Sequence, residues 1–273
     1  CLLGGGKRVI KATSTLVPLM GVIYISVAFI LTIMHINLVP GVVGRIFAEA
    51  FDFTAIFGGF AGSCMMFGIK RGLYSNEAGV GSAPNAAAAA DVSHPVKQGL
   101  VQMLSVFIDT LLICTATAFM CLSSGIEPTK ELAGAPYVQA ALAASMGDYA
   151  KLFITVSMVL FAFTTLLGNL YYVDNAFAYV LKHVPGKTFT LCYRVLACVL
   201  IFIGAGSSMG TMWDLADVTM GFMAIINLPV ICILGGPALR ALDDYTEQRN
   251  AGKNPEFKAS KIGLTQKLDY WQD

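Results

Sequence analysis

Hydrophobic positions along this chain fall into runs too long for the core elements of a soluble domain. A helix that crosses a bilayer needs about 20 mostly apolar residues. By that measure the runs at 15–37, 47–69, 99–122, 150–181, 193–212 and 215–239 each predict one crossing. The expected fold is an all-α integral membrane protein with six spans. Residues 123–149 between the third and fourth runs form a long connection with a helical pattern of its own. Residues 240–273 form a charged tail, and 1–14 a short lead-in without an initiator methionine, as expected of a chain that continues upstream.

Positive charge orients the spans. Lys7, Arg8 and Lys11 precede the first run, Lys70, Arg71 and Lys97 bracket the segment after the second, and Lys182, Lys187 and Arg194 follow the fourth. With the basic tail, these clusters fall on one side of six alternating spans. Arg45, Lys130 and Lys151 on the other side are diluted by Glu49, Asp52, Glu127, Glu131 and Asp148. Basic loops stay cytoplasmic, so 72–97 and the tail are expected inside and 123–149 outside.

Composition narrows the chemistry. Hydrophobic residues make up 56% and charged residues 13%, against about 25% charged in soluble domains. The net charge of +1 offers no footprint for nucleic acid. Seven cysteines lack metal-ligand spacing and read as buried thiols. His35, His94 and His183 lie near span ends, with no paired carboxylate or cysteine, and read as interfacial side chains. Nothing supplies a nucleophile with its base, so the chain does not read as an enzyme.

Polar and glycine-rich residues inside apolar runs are the candidate site. Gly58, Gly59, Phe60, Ala61, Gly62 and Ser63 interrupt the second run. Glycine costs about 1 kcal/mol relative to alanine in a helix. This patch is therefore either a broken helix whose free backbone groups hold a ligand, or a close-packing face of small residues. Asp109 sits about ten residues into the third run, ~15 Å along a helix. A carboxylate at that depth costs ~3 kcal/mol and is an ion ligand or an internal hydrogen-bond partner. In the fourth run the Phe161 carbonyl and the Thr164 and Thr165 hydroxyls supply oxygens of the kind hard cations take. The alternative is a hydroxyl bonded back to its own helix. Asn169 follows Thr165 by one turn.

The stretch "GLYSNEAGVGSAPNAAAAADVSHPVKQG", residues 72–99, is polar and then nearly pure alanine. Ser75 is a candidate N-cap and Pro84 suits a first helical turn, so "NAAAAADV" reads as a small helix. The segment is either a surface loop or a cytoplasmic plug packed closely under the bundle. Lys70, Arg71, Ser75, Asn76 and Glu77 are its gating or structural candidates, with Glu77 as a charge partner for Lys70 or Arg71.

These residues carry a resemblance. "KRGLYSNEAGVGSAPNAAAAADVSHPVKQGLVQ" followed by "VFIDTLLICTATA" resembles the signature region of the alanine/glycine:cation symporters, the sodium–alanine symporter family. "TLVPLMGVIYI", "FAFTTLLGNLYY", "WDLADVTMGFMAIINL" and "GKNPEFKAS" extend the likeness over nearly the whole chain. The resemblance implies a leucine-transporter-like core of two inverted five-helix repeats, with the six spans standing for helices 5 to 10 of ten. It implies substrate contacts at the broken second span and at Asn169, and a sodium site at Phe161, Thr164 and Thr165. A second sodium ligand at Asp109 is a looser transfer. The implied activity is import of a small neutral amino acid, alanine or glycine, with sodium, by one copy of the chain in the inner cell membrane. A channel or a proton-coupled carrier of another small solute remains the alternative.

Overall fold

The computed structural model describes residues 6–52, 64–77, 79–129, 132, 134–264, 268 and 270–271. The glycine-rich patch Gly58, Gly59, Phe60, Ala61, Gly62 and Ser63 lies outside the described residues. The described regular elements are helical: α1 (Gly6–Met34), α2 (Val39–Ala50), α3 (Cys64–Ser75), α4 (Ala83–Ala87), α5 (Pro95–Phe107), α6 (Thr115–Leu122), α7 (Ala135–Met146), α8 (Asp148–Leu181), α9 (Lys187–Ala205) and α10 (Met209–Asn250). A π-helical segment, Ile108–Cys114, joins α5 to α6. Five helical stretches among the described residues are long and apolar enough to cross a membrane: Ser14–Met34, Pro95–Leu122, Asp148–Leu181, Lys187–Ala205 and Met209–Asn250.

Two differences from the apolar runs have local causes. The run 193–212 is divided, because α9 stops at Ala205 and α10 starts at Met209. Ser208 caps the new helix by accepting the Thr211 N–H at 3.2 Å. Ser75 is no N-cap: it is the last residue of α3, and the short helix α4 follows Ser82 with Pro84 in its first turn. Helix stops at Ala87, well before the alanine run ends, since so short a helix gains little from propensity alone.

The chain divides into two compact units. Unit 1 comprises residues 1–76 and 107–196, and unit 2 comprises 77–106 and 197–273. In unit 1, α1 buries Met20, Tyr24, Ala28 and Leu31, one stripe at helical spacing. Tyr24, Ala28 and Leu31 pack with Met120 of α6, Leu142 of α7, and Ala150 and Ile154 of α8. Ala28 and Ala150 are fully buried, and small residues of this kind let helix backbones approach closely. At the end of α8, Arg194 of α9 donates to Asp174 at 2.8 Å. Phe177, Phe189 and Tyr193 cluster beside that pair. Arg194 is therefore a buried partner of Asp174 rather than a free member of a basic surface cluster.

In unit 2 the tail folds back. Residues 255–258 lead without helix into a 3-10 turn, Ala259–Ile262, and Pro255, Phe257 and Ala259 are buried at alternate positions. The Phe257 N–H donates to the Ser93 carbonyl at 3.0 Å, and the Ser93 hydroxyl donates to the Pro255 carbonyl at 2.9 Å. Ala241, Phe257, Ala259 and Ile262 form a small core. His94, an interfacial side chain by sequence, is fully buried here, edge-to-face with Tyr245 and Phe257. Its Nδ1 accepts the Val96 N–H at 3.2 Å, which leaves the proton on Nε2 to be donated to Asp244 at 3.3 Å. Burial holds the imidazole below the ordinary histidine pKa, and the bond to Asp244 opposes that shift in part.

Candidate functional site

The longest apolar helices carry few polar groups, and the way each is satisfied separates structural from available ones. Asp109 lies in the π-helical segment, 14 residues after α5 begins and ~21 Å along it. A π-turn carries an extra residue, which rotates side chains out of the α-helical register and recurs at functional sites. The loosened turn is visible at Thr115, whose hydroxyl donates to the Thr110 carbonyl five residues back at 3.2 Å. Nothing in "VFIDTLLICTATA" marks this turn, since the stretch holds neither Gly nor Pro.

The end of α3 meets this turn. The Ser75 hydroxyl donates to Asp109 at 2.7 Å and lies 3.6 Å from the Cys114 sulfur. One residue on, the Thr110 hydroxyl donates to the Asn76 side-chain oxygen at 2.8 Å, and the Asn76 amide donates to the Gly72 carbonyl at 3.0 Å. Ser75 and Asn76, gating candidates by sequence, and Asp109, an ion-site candidate, thus form one polar cluster. Thr110 is a member that sequence reasoning missed, although its place beside Asp109 was a usable signal. Glu77 adopts a positive φ of 49° and accepts from the Ser82 hydroxyl. Arg71 lies over the Tyr74 ring at 5.9 Å, and Lys70 is in the same helix.

The second set sits on α8. Phe161 packs edge-to-face on Tyr24, with ring centroids 5.5 Å apart. The Tyr24 hydroxyl is 2.8 Å from that of Thr117 on α6. The Thr164 hydroxyl donates back to the carbonyls of Leu160 and Phe161, each at 3.1 Å. That is the ordinary helix back-bond, and it brings the Thr164 and Phe161 oxygens together. A hydroxyl keeps two lone pairs while it donates, and a carbonyl has two of its own, so this arrangement can still turn oxygens toward a cation. Thr165 and Asn169 are exposed on the same helix. Among the described residues no hydrogen bond links Thr164 or Thr165 to Asp109.

Comparison with known proteins decides the family. The profile of the sodium:alanine symporter family matches residues 1–259. The chain belongs to the sodium:alanine symporter family. Across its whole length this symporter-family chain is 42% identical to the amino-acid carrier protein AlsT of Bacillus subtilis (strain 168), over 272 residues. It is 41% identical over 270 residues, 99% of its length, to the probable sodium/glutamine symporter GlnT of the same organism. Over its whole length it is 38% identical to a sodium/proton-dependent alanine carrier protein of Bacillus sp. (strain PS3). It spans 57%, 56% and 64% of the lengths of these three relatives. This is a transporter family and not an enzyme family, in keeping with the five apolar helices described above.

Proposed function

We propose that the full-length protein carries a small neutral amino acid, alanine or glycine, into the cell together with sodium by alternating access. The observation that carries this reading is a carboxylate, Asp109, at a π-turn deep in an apolar helix of a symporter-family chain, held by one hydroxyl. Sodium here is cargo that moves with the amino acid. The helices are read as helices 5 to 10 of a leucine-transporter-like core in the inner cell membrane, acting as one copy, with 72–97 and the tail inside and 123–149 outside. In that reading Phe161, Thr164 and Thr165 offer oxygens to one sodium, and Asp109 offers its carboxylate to a second. Gly58, Gly59, Phe60, Ala61, Gly62, Ser63 and Asn169 contact the amino acid, while Lys70, Arg71, Ser75, Asn76 and Glu77 serve the cytoplasmic gate. The back-bonded geometry of Thr164 and Phe161 supports the first assignment, because their oxygens already converge.

Labelled alanine, glycine and glutamine uptake into vesicles with sodium, with choline, or with a pH gradient alone tests the reading. Sodium-dependent uptake of alanine or glycine is expected. Equal uptake in all three conditions sinks sodium coupling, and glutamine uptake without alanine or glycine sinks the substrate assignment. Uptake supported by the pH gradient alone marks a proton-driven carrier, and flux without saturation marks a channel. Thr164→Val and Thr165→Val keep shape and remove an oxygen, so each should weaken sodium binding by about 1–3 kcal/mol, a rise in the sodium requirement of roughly fivefold to somewhat over a hundredfold. Unchanged sodium dependence in both variants at normal expression removes these residues from the site.

A further inference from the structure

We infer that the turn Gly79–Gly81 is a re-entrant element seated at membrane depth on α10, and that Asn227 is the positioning residue that holds it there. The Asn227 amide donates to the Gly79 carbonyl at 3.0 Å. Val80 between the two glycines is buried. Both glycines hold positive φ, +80° and +93°, which side chains rarely adopt. A Cβ at Gly81 would stand 2.8 Å from the Asn227 side chain, and one at Gly79 would stand 2.8 Å from Leu228. The turn therefore lies flush on residues 227–228, with no room for a side chain.

Depth follows from α10 itself. Between Asp217 and Arg240 this helix holds 218–239 without a charge. Asn227 lies 13 residues before Arg240, ~20 Å along the helix, in a hydrocarbon layer about 30 Å thick. Fifteen residues after Gly79, His94 is bonded to Asp244 on the same helix. That point is 17 residues beyond Asn227, ~25 Å further along α10. Residues 79–94 thus run beside α10 from its uncharged middle to its charged end, where the chain enters α5. Irregular backbone at membrane depth persists only where protein satisfies its polar groups. The Asn227 amide does so for Gly79, and the Gly79 carbonyl in turn satisfies an amide that lipid would penalise. The glycines of "EAGVGSAPN" serve close approach, so the cytoplasmic segment 72–97 dips at residues 79–81 into the membrane layer instead of lying wholly on the cytoplasmic surface.

The inference rests on α10 spanning the membrane and not on which amino acid is carried, so its test uses no transport. The full-length protein, with native cysteines replaced by serine, receives Val80→Cys, Ala241→Cys or Ala251→Cys singly. A membrane-impermeant maleimide is applied from the cytoplasmic side. Ala251 is exposed in the tail and sets the fast rate, whereas Ala241 is buried in the tail core and reports overall folding. Val80→Cys should label far more slowly than Ala251→Cys. Asn227→Leu, which keeps the branched outline but loses the donor and adds bulk against the turn, should speed Val80→Cys labelling by roughly fivefold or more, at least the size of one buried hydrogen bond. Ala241→Cys should stay protected in that variant. Gly81→Ala, which displaces Asn227 from the other side, should have the same effect, and the two changes together should add little. Labelling of Val80→Cys as fast as Ala251→Cys with Asn227 intact overturns the seated turn. Slow labelling that neither Asn227→Leu nor Gly81→Ala changes overturns the role of Asn227.

Discussion

Replacing His94 by alanine should release the C-terminal tail from α10. The imidazole is 0% exposed. It donates to Asp244 at 3.3 Å and accepts the Val96 N–H at 3.2 Å. Its ring centroid stands 5.2 Å from that of Tyr245 and 5.1 Å from that of Phe257. Each edge-to-face contact contributes about 0.5–1.5 kcal/mol. The long bond to Asp244 adds about 1 kcal/mol, and the Val96 N–H left without its acceptor costs about as much again. A total of about 3–5 kcal/mol is expected, the range measured for emptying a ring-sized core site. At 1.4 kcal/mol per factor of ten, tail opening becomes at least about a hundredfold more frequent. The assay is limited trypsin digestion of the full-length protein in detergent, following cleavage at Lys253, Lys258 and Lys261. Cleavage tracks the open population when reclosing is fast. The same rate in His94→Ala and in the unaltered protein, at equal helix content, refutes this account of the dock. Rapid cleavage of the unaltered protein refutes the dock itself.

The same histidine gives the tail a pH dependence of definite sign. Its docked pKa is lowered by burial, so docking stability is complete above the free value of about 6.5 and is lost as pH falls through the docked value. Asp244, Lys97 and Lys261 are the charged groups that act on the ring. Hydrogen exchange at 255–262, corrected for intrinsic rate, should rise between about pH 7.5 and 5.5, and the rise should vanish in His94→Ala. Asp174→Asn leaves Arg194 nearly buried without its counter-charge and should cost about 2–4 kcal/mol. A lowered melting temperature that Asp174→Asn with Arg194→Met largely restores is the expected result, and no loss in the single variant refutes it. Ser75→Ala and Asp109→Asn should be non-additive by about 1 kcal/mol in a stability cycle, and strict additivity means that the 2.7 Å bond contributes nothing.

Sequence pattern reached the elements whose cause is local. The bodies of the helices over Asp148–Leu181 and Gly6–Met34 follow from the long apolar runs within them, although the second begins nine residues before its run, in the basic lead-in, and the helix over Ala135–Met146 follows from periodicity with Pro136 in its first turn. The break between α9 and α10 falls inside the run drawn over 193–212, at the glycine- and serine-rich "GAGSSMG", which is a turn signal that the run's overall hydrophobicity outweighed. The Ser208 cap, three residues before Thr211, marks the new start. Partners distant in the chain were beyond reach. His94 meets Asp244 150 residues on, and Asn227 meets Gly79 148 residues back. Periodicity says which face of a helix is apolar, but not which distant group will complete a histidine or a backbone carbonyl. Hence His94 looked like an interfacial side chain, and the segment that holds the glycines could be read as a surface loop or as a closely packed plug, with no partner named for it.

Asp244, Asp174 and Asp109 differ in how fully each charge is already answered, and that difference bears on where a cation would go. Asp244 receives the His94 N–H, the Gln248 amide at 2.8 Å and the Lys261 ammonium at 3.4 Å. Asp174 holds the guanidinium of Arg194 at 2.8 Å. Both have cationic partners and both lie toward the charged ends of their helices, so their compensation is complete without a ligand. Asp109 has a neutral hydroxyl, Ser75, and a thiol contact at 4.0 Å, yet it lies deepest in an apolar stretch. That leaves its charge the least compensated of the three. In the proposed reading this is the carboxylate a mobile sodium would meet, because a permanent ammonium or guanidinium partner would occupy such a site for good.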